Sequence, residues 1–437
     1  MSDYRLSRGT YVGYAFGAVG TAGFGTVPGL VLSIYLTNTL GVAAAIASVV
    51  VLLPKLWDVY FLPFVGRLSD RFAGRSDTRR PFLLFGALAL LVTFPLMFAV
   101  PDGVDSTVAA AWVLVAFLVC ASAFAFFQVP YIATAAEITD SASERTTMMS
   151  WRVGFQAAGI LLFGLTAPLI RDQFHDARFG YLVMGVVIAA AIALGMLICW
   201  WALRRTKRYV AGDAAEHASL IDQFRLAWQV RPFRFLLGAF ILQALGTGAV
   251  LAGVAYFSIY VLGVKDYSIL FGVLIVPAVI FMPLWSWVGH RKGKRFGFLL
   301  SSIIFIGGLL CALPAEYLPL PVSLFLIGIA AIGYAGMQMF PLAMLPDTIA
   351  ANASDSGQQR AGAFTGVWTA GETGAFALGP ALFLLVLAAS GFVSSTDNSA
   401  VQPASAYTGI DIGFALMPAI LVAVSIPLIL QWSEPTT

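Results

Sequence analysis

Apolar residues gather into twelve long runs separated by short polar connections. The runs cover about 11–37, 42–66, 81–101, 107–135, 147–171, 177–203, 233–262, 267–289, 296–313, 319–345, 361–391 and 408–432. A helix needs roughly 20 such residues to cross a hydrocarbon core. Several runs exceed that length, which predicts tilt or bending. Glycine and proline interrupt many of them, and neighbouring helices re-satisfy the backbone groups this frees. Outer-membrane strands would read as ~10-residue alternating segments, a pattern the runs lack. The expected fold class is an all-α membrane protein of twelve transmembrane helices.

Composition sharpens this reading. Of 437 residues, 59% are hydrophobic and 11% charged, against about 25% charged in a soluble domain. A soluble enzyme, a nucleic-acid binder and a disordered chain are excluded. A net charge of +3 is too small to call for a polyanionic partner. Cys120, Cys199 and Cys311 lie in apolar runs without metal-ligand spacing and read as small buried hydrophobes. No cluster of His, Cys and acids suits a metal or a nucleophile, and no phosphate loop of the G-x-x-x-x-G-K-[ST] type occurs. The chain is therefore expected to be neither an enzyme nor an ATP-driven pump, and to need no cofactor. Its expected partners are the lipid bilayer and a small-molecule substrate.

Lysine and arginine set the orientation. With both termini cytoplasmic, 20 of the 25 basic residues fall on the cytoplasmic side and three (Arg171, Arg178 and Lys265) on the other. No short apolar core with a small-residue cleavage site opens the chain, so the first run reads as a retained span.

The longest connection, near 204–232, separates six runs from six, dividing the chain into bundles 1–203 and 233–437. It ends in the amphipathic "SLIDQFRLAWQVRPFRFLL", read as a linker helix on the membrane surface. The two halves share a grammar. The first span carries Gly20-Thr21, Ser33-Ile34-Tyr35 and Leu40-Gly41-Val42; the seventh carries Gly246-Thr247, Ser258-Ile259-Tyr260 and Leu262-Gly263-Val264. Gln128 stands nine residues before Glu137 in the fourth span, and Gln338 nine before Asp347 in the tenth. Such duplication predicts two six-helix repeats around a central cavity, as in secondary transporters.

The motifs resemble a known family. "GRLSDRFAGRSDTRRP" is similar to the signature loop of the major facilitator superfamily. "PKLWDVYFLPFVGRLSDRF", "QVPYIATAAEITDSASERTTMMSWRVGF", "MLPDTIA" and "QQRAGAFTGVWTAGETGAFALGPAL" resemble the glycoside–pentoside–hexuronide:cation symporters, the melibiose-permease-like branch. The resemblance implies the major facilitator fold, cation-coupled uptake of a sugar, glycoside or uronate, a monomer, and a bacterial inner membrane. The departures from the family pattern are specific. Its second span often carries two acids one turn apart; here Asp58 matches the first and Leu62 stands at the second. Thr21 and Ala22 replace a charged pair, Gln128 replaces an acid, and Thr373 replaces a lysine, with Glu372 just before it.

Lys55, Asp58, Arg152 and Glu372 lie well inside spans, where a charge costs at least ~2.5–3.5 kcal/mol. Asp58 is the first candidate for the coupling site, with Lys55 three residues away on the same face. A sodium ion needs several hard oxygen ligands, and Leu62 supplies none, so a lone acid suits a proton better, with sodium the alternative. The competing role for Asp58 is a bundle-holding pair with Lys55 or Arg152. Glu372 is open to a second coupling role, to accepting from substrate, to pairing with Arg152, or to plain hydration. Thr21, Gln128, Tyr131, Arg152, Gln338 and Thr373 are candidate substrate contacts, with Tyr131 equally open to helix packing. Trp151 and Trp368 are candidates to stack on a sugar ring, or to pack. Asp70, Arg71, Glu137, Arg145, Asp347 and Arg360 read as inner-gate salt bridges. The recurrence of Gly13, Gly17 and Gly20 predicts close helix packing. Three readings compete: a proton-driven symporter of a sugar-like solute, a carrier of amphiphiles such as lysophospholipids, and a transporter-like receptor. The short connections weigh against the last.

Overall fold

The computed structural model describes residues 7–139, 142–206, 224–225, 228–356, 361–396 and 400–432. The described residues are helical throughout, with thirteen main helices. These are α1 (Arg8–Asn38), α2 (Ala44–Ser76), α3 (Arg80–Leu96), α4 (Ser106–Glu137), α5 (Ala142–Arg171), α6 (Ala177–Ala202) and α7 (Arg231–Val261). The rest are α8 (Ser268–Ile280), α9 (Met282–Lys292), α10 (Lys294–Ala312), α11 (Leu320–Ser356), α12 (Ala361–Ala389) and α13 (Ala404–Gln431). Ten are long and apolar enough to cross a membrane, or eleven if α8 and α9, bent by 43°, form one span. The expected third span falls on α3, which at 17 residues is shorter than the others. The expected eighth falls on the bent pair. Of the expected linker, 207–223 and 226–227 lie outside the described residues; the last residues of the proposed surface helix, 231–237, belong to α7.

The chain divides into two compact units. One holds 1–215 with 394–400, the other 216–393 with 401–437. Local chemistry sets the helix starts. Asp105 accepts from the amides of Thr107 and Val108 at the head of α4, and Asp176 from Arg178 and Phe179 at the head of α6.

The duplicated motifs build the same local structure twice. Thr21 donates to the Ala18 carbonyl at 3.0 Å, and Thr247 to the Ala244 carbonyl at 3.1 Å. A π-helical turn follows in each, at Pro28–Leu32 and Phe257–Val261. Each helix then closes on Leu-Gly-Val. The amide of Val42 reaches the Leu36 carbonyl and that of Val264 the Ser258 carbonyl, both at 2.8 Å. Gly41 and Gly263 supply the positive φ, 66° and 69°, that this cap requires.

In the first unit α1 packs on α5 and α6 at its small residues. A methyl added at Gly13 would lie 2.2 Å from Ala202 Cβ; one at Gly20 would lie 2.6 Å from Met196 Cγ. In the second unit Gly308 lies against the backbone of Ala330, so α10 and α11 approach as closely. That unit's core gathers Trp285, Phe340, Trp368 and Trp432. Gln243 on α7 is buried there and donates to Ser302 and Ser425, tying α7 to α10 and α13. Cys120 and Cys199 are buried as expected; Cys311 is exposed, on an apolar helix where lipid is its natural neighbour.

Gly13 and Gly25 provide a matched test of packing in α1. Ala202 has no flexible side chain to withdraw, so Gly13→Ala should destabilise the protein by about 1–3 kcal/mol. A methyl at Gly25 meets nothing within 4 Å, so Gly25→Ala should be neutral or stabilising by up to about 1 kcal/mol. Thermal unfolding of the two variants in detergent measures the contrast.

Candidate functional site

In the first unit, α2 places Lys55 and Asp58 one turn apart. Asp58 is 6% exposed, and its Oδ1 is buried without a hydrogen-bond partner. Among the described residues it stands in no ion pair, so the bundle-holding pair with Lys55 or Arg152 is not formed. Lys55 turns instead toward α1 and α4. Its Nζ lies 5.2 Å from the ring centroid of Phe24 and 6.0 Å from that of Phe117. An apolar surrounding is costly for an unpaired carboxylate, so the bare oxygen of Asp58 is suited to carry a proton or receive a cation. The surroundings fit sodium poorly. Leu62 offers no oxygen, the facing titratable group on α4 is the thiol of Cys120, and no three His, Cys, Asp or Glu residues converge among the described residues.

Arg152, on α5, sits 5.6 Å from the Tyr131 ring, with Nη1 3.9 Å from Met149 Sδ and a buried Nε that lacks a partner. Gln128 likewise keeps a buried, unpartnered Oε1. Asp58, Gln128 and Arg152 thus each hold hydrogen-bonding capacity in reserve. Tyr131 does not. It is wholly buried and stacked on Tyr14 at 4.5 Å. Each tyrosine donates to the other's backbone carbonyl, at 3.2 and 3.0 Å. In this structure Tyr131 takes the packing role, as a rivet between α1 and α4. Thr21 is likewise committed to its own helix through the bond to Ala18. Trp151 is 46% exposed and meets Phe155 edge-on.

In the second unit Gln338 donates to the Tyr334 hydroxyl at 3.0 Å, and Glu372 on α12 lies close enough to Tyr334 to act on it electrostatically. Thr373 beside it is half-buried. Trp368 is 3% exposed and stacked on Phe240 at 4.4 Å, so core packing covers one ring face, and its indole Nε1 has no partner.

The expected gate acids are present, but other bases grip them. Arg79, just before α3, donates through Nε and Nη2 to both oxygens of Glu137, at 2.9 and 2.7 Å. Nη2 also reaches Asp70 at 2.7 Å, and Nη1 donates to Ser69. Burial opposes the charge of Arg79; the hydrogen bonds to Glu137 and Asp70 outweigh it and hold the guanidinium above its ordinary value. Arg71 is exposed and stands in no ion pair among the described residues. In the second unit Lys294, the first residue of α10, donates to Asp347 at 2.5 Å and to the Ala343 carbonyl at 3.0 Å. In both halves, then, a base at the start of the third helix of the repeat holds the acid late in the fourth. Of the expected partners, Arg71 does not hold these acids, while the Arg145 side chain and all of Arg360 lie outside the described residues. Both bases sit at the heads of matching helices, the one sequence signal that marks them.

A family model described as MFS/sugar transport protein matches residues 13–432. The glucuronide carrier protein homolog of Escherichia coli is 25% identical, over all of this chain and 94% of its own length. A sodium-dependent lysophosphatidylcholine symporter of Mus musculus is 24% identical, over 77% of this chain and 69% of its own. Among solved structures, a bacterial homolog of the human lysosomal transporter Spinster superposes with a TM-score of 0.75, 15% identity, and coverage of 99% of this chain and 98% of that one.

The two latches differ in burial, and their energies should differ accordingly. The Arg79 side chain is 6% exposed and that of Glu137 16%; those of Lys294 and Asp347 are 35% and 36%. Arg79→Ala breaks the more buried pair and should cost about 3–5 kcal/mol, whereas Lys294→Ala should cost about 0–1 kcal/mol. Unfolding of both variants in detergent checks the ranking.

Proposed function

This chain belongs to the MFS/sugar transport protein family, and from that premise we propose that it is a secondary active transporter. It couples the entry of a small organic solute, a sugar, glycoside or uronate, to a cation by alternating access. The cation is a proton. The observation that carries this choice is Asp58: a buried, unpaired carboxyl with Leu62 where a second acid would complete an oxygen cage. The chain spans a bacterial inner membrane as a monomer of twelve helices, in bundles 1–203 and 233–437 joined by 204–232, with both termini cytoplasmic. Gln128 and Arg152 of the first unit contact substrate through their free polar atoms, and Glu372 with Gln338 is a separate polar group of the second unit. Arg152 favours a substrate with a carboxylate or several hydroxyls, because its guanidinium offers parallel donors in a plane. The latches at Arg79 and Lys294 lie on the cytoplasmic side and steady each unit as it moves.

The second reading, a carrier of amphiphiles, is favoured by the likeness to the lysophosphatidylcholine symporter. Ligand-dependent thermal shifts of the purified protein separate the two, using sugars, glycosides, uronates and lysolipids with and without sodium. A ligand at 100 times its dissociation constant should stabilise by ~2.7 kcal/mol. A sodium-independent shift with a sugar or uronate is expected; a shift with lysolipids alone would transfer the assignment to the second reading.

Asp58→Asn should abolish uphill uptake into proteoliposomes while leaving exchange of the same solute measurable. Full active uptake by that variant would remove Asp58 from coupling.

A further inference from the structure

Lys55 poses a question that family membership leaves open. A lysine and an aspartate three residues apart on one helix can reach each other, and in an apolar setting their attraction is strong. Here they stand apart. The ammonium rests against Phe24 of α1 and Phe117 of α4, both almost fully buried, while Oδ1 of Asp58 has no partner. Phe24 is itself held by Phe124, ring on ring at 4.0 Å. The aromatic seat is thus a built feature and not a chance contact. The groups facing Asp58 are Lys55 on its own helix and the buried thiol of Cys120 on α4, with Thr93 of α3 beside that thiol and donating to the Ala89 carbonyl. Neither Cys120 nor Thr93 is a second acid.

We propose that Lys55 is a tethered counter-ion that takes the place of a coupling metal ion, resting on Phe24 and Phe117 while Asp58 carries a proton and moving onto Asp58 when the proton leaves. This deepens the reading of Asp58 as the coupling group and rests on it. An aromatic face holds an ammonium through its quadrupole, more weakly than a desolvated carboxylate would. The seat therefore retains Lys55 only while Asp58 is neutral. When the Asp58 O–H bond breaks, the proton goes to water, the electron pair stays on the carboxylate, and Lys55 remains an ammonium throughout. The flexible four-carbon stem of lysine permits the swing without moving the helix. With the ammonium on the carboxylate, sodium is excluded from Asp58 by charge and by space. The arrangement assigns Lys55 as the residue that makes the transporter indifferent to sodium.

The test uses the purified full chain, with sodium chloride against choline chloride as the probe, and needs no substrate. Removing the tethered cation should open Asp58 to sodium. In weak buffer, sodium added to Lys55→Met should release about one proton per chain, the stoichiometry of a single carboxyl. It should also raise the unfolding temperature where choline does not. The wild type, Lys55→Arg and the double variant Lys55→Met with Asp58→Asn should show neither effect. A merely structural lysine would not move the proton count. A Lys55→Met protein that elutes as a single species and ignores sodium in both measurements would overturn the counter-ion role. If Asp58→Asn still abolishes uphill uptake in that case, the coupling role of Asp58 stands without it. If Asp58→Asn transports uphill, the coupling site itself is wrong.

Discussion

Helices surrounded by lipid gain nothing from burying apolar side chains against one another, because the tails around them are equally apolar. What draws them together is close approach, and close approach needs small residues at the crossing points. In this protein the constraint shows at Gly13, Gly17 and Gly20, where α1 meets Ala202, Tyr131 and Met196, and at Gly308, where α10 meets the backbone of Ala330. The tyrosine pair between α1 and α4 depends on it. The rings of Tyr14 and Tyr131 can stack only because Gly17 leaves the space, a methyl there lying 2.6 Å from the Tyr131 ring. With the helices so placed, each buried polar atom is either spent on a neighbour or left in reserve.

The division is uneven in an informative way. Tyr131 and Thr21 have given their donors to neighbouring groups and serve packing, and Gln243 has given its amide donors while keeping a bare Oε1. Asp58, Gln128 and Arg152 keep buried polar atoms unspent. Leaving such atoms unsatisfied costs on the order of 1–3 kcal/mol each, more for charged groups. In the proposed reading, this reserve is what receives the coupling ion and a polar solute.

Repetition extends from sequence to geometry, and then stops. The Thr-to-carbonyl bonds, the π-helical turns and the glycine caps recur in both halves with nearly the same distances and φ angles. The latches recur in position but not in strength. A buried arginine forks onto two acids in the first unit, and a more exposed lysine holds one acid in the second. Arginine presents two parallel donors to a carboxylate where lysine presents a point charge. The first latch therefore resists opening more than the second.

The amino-acid sequence by itself determined the helical membrane class, the apolar runs and the duplication. Apolar run length, motif spacing and the scarcity of charge are properties of the linear chain. It also carried the family, through motifs spread along nearly its whole length. Only the tertiary structure decided which bases hold the gate acids, since Arg71, Arg79 and Arg80 are equivalent in a list of cytoplasmic arginines and differ only in where helix packing aims them. The same holds for Tyr131, whose polar tip reads as a substrate contact until α1 is placed against it. It holds for Lys55 too: spacing on one helix put it beside Asp58, while the rings that draw it away come from two other helices. Periodicity encodes which face a residue occupies, and the packing of distant segments decides what that face meets.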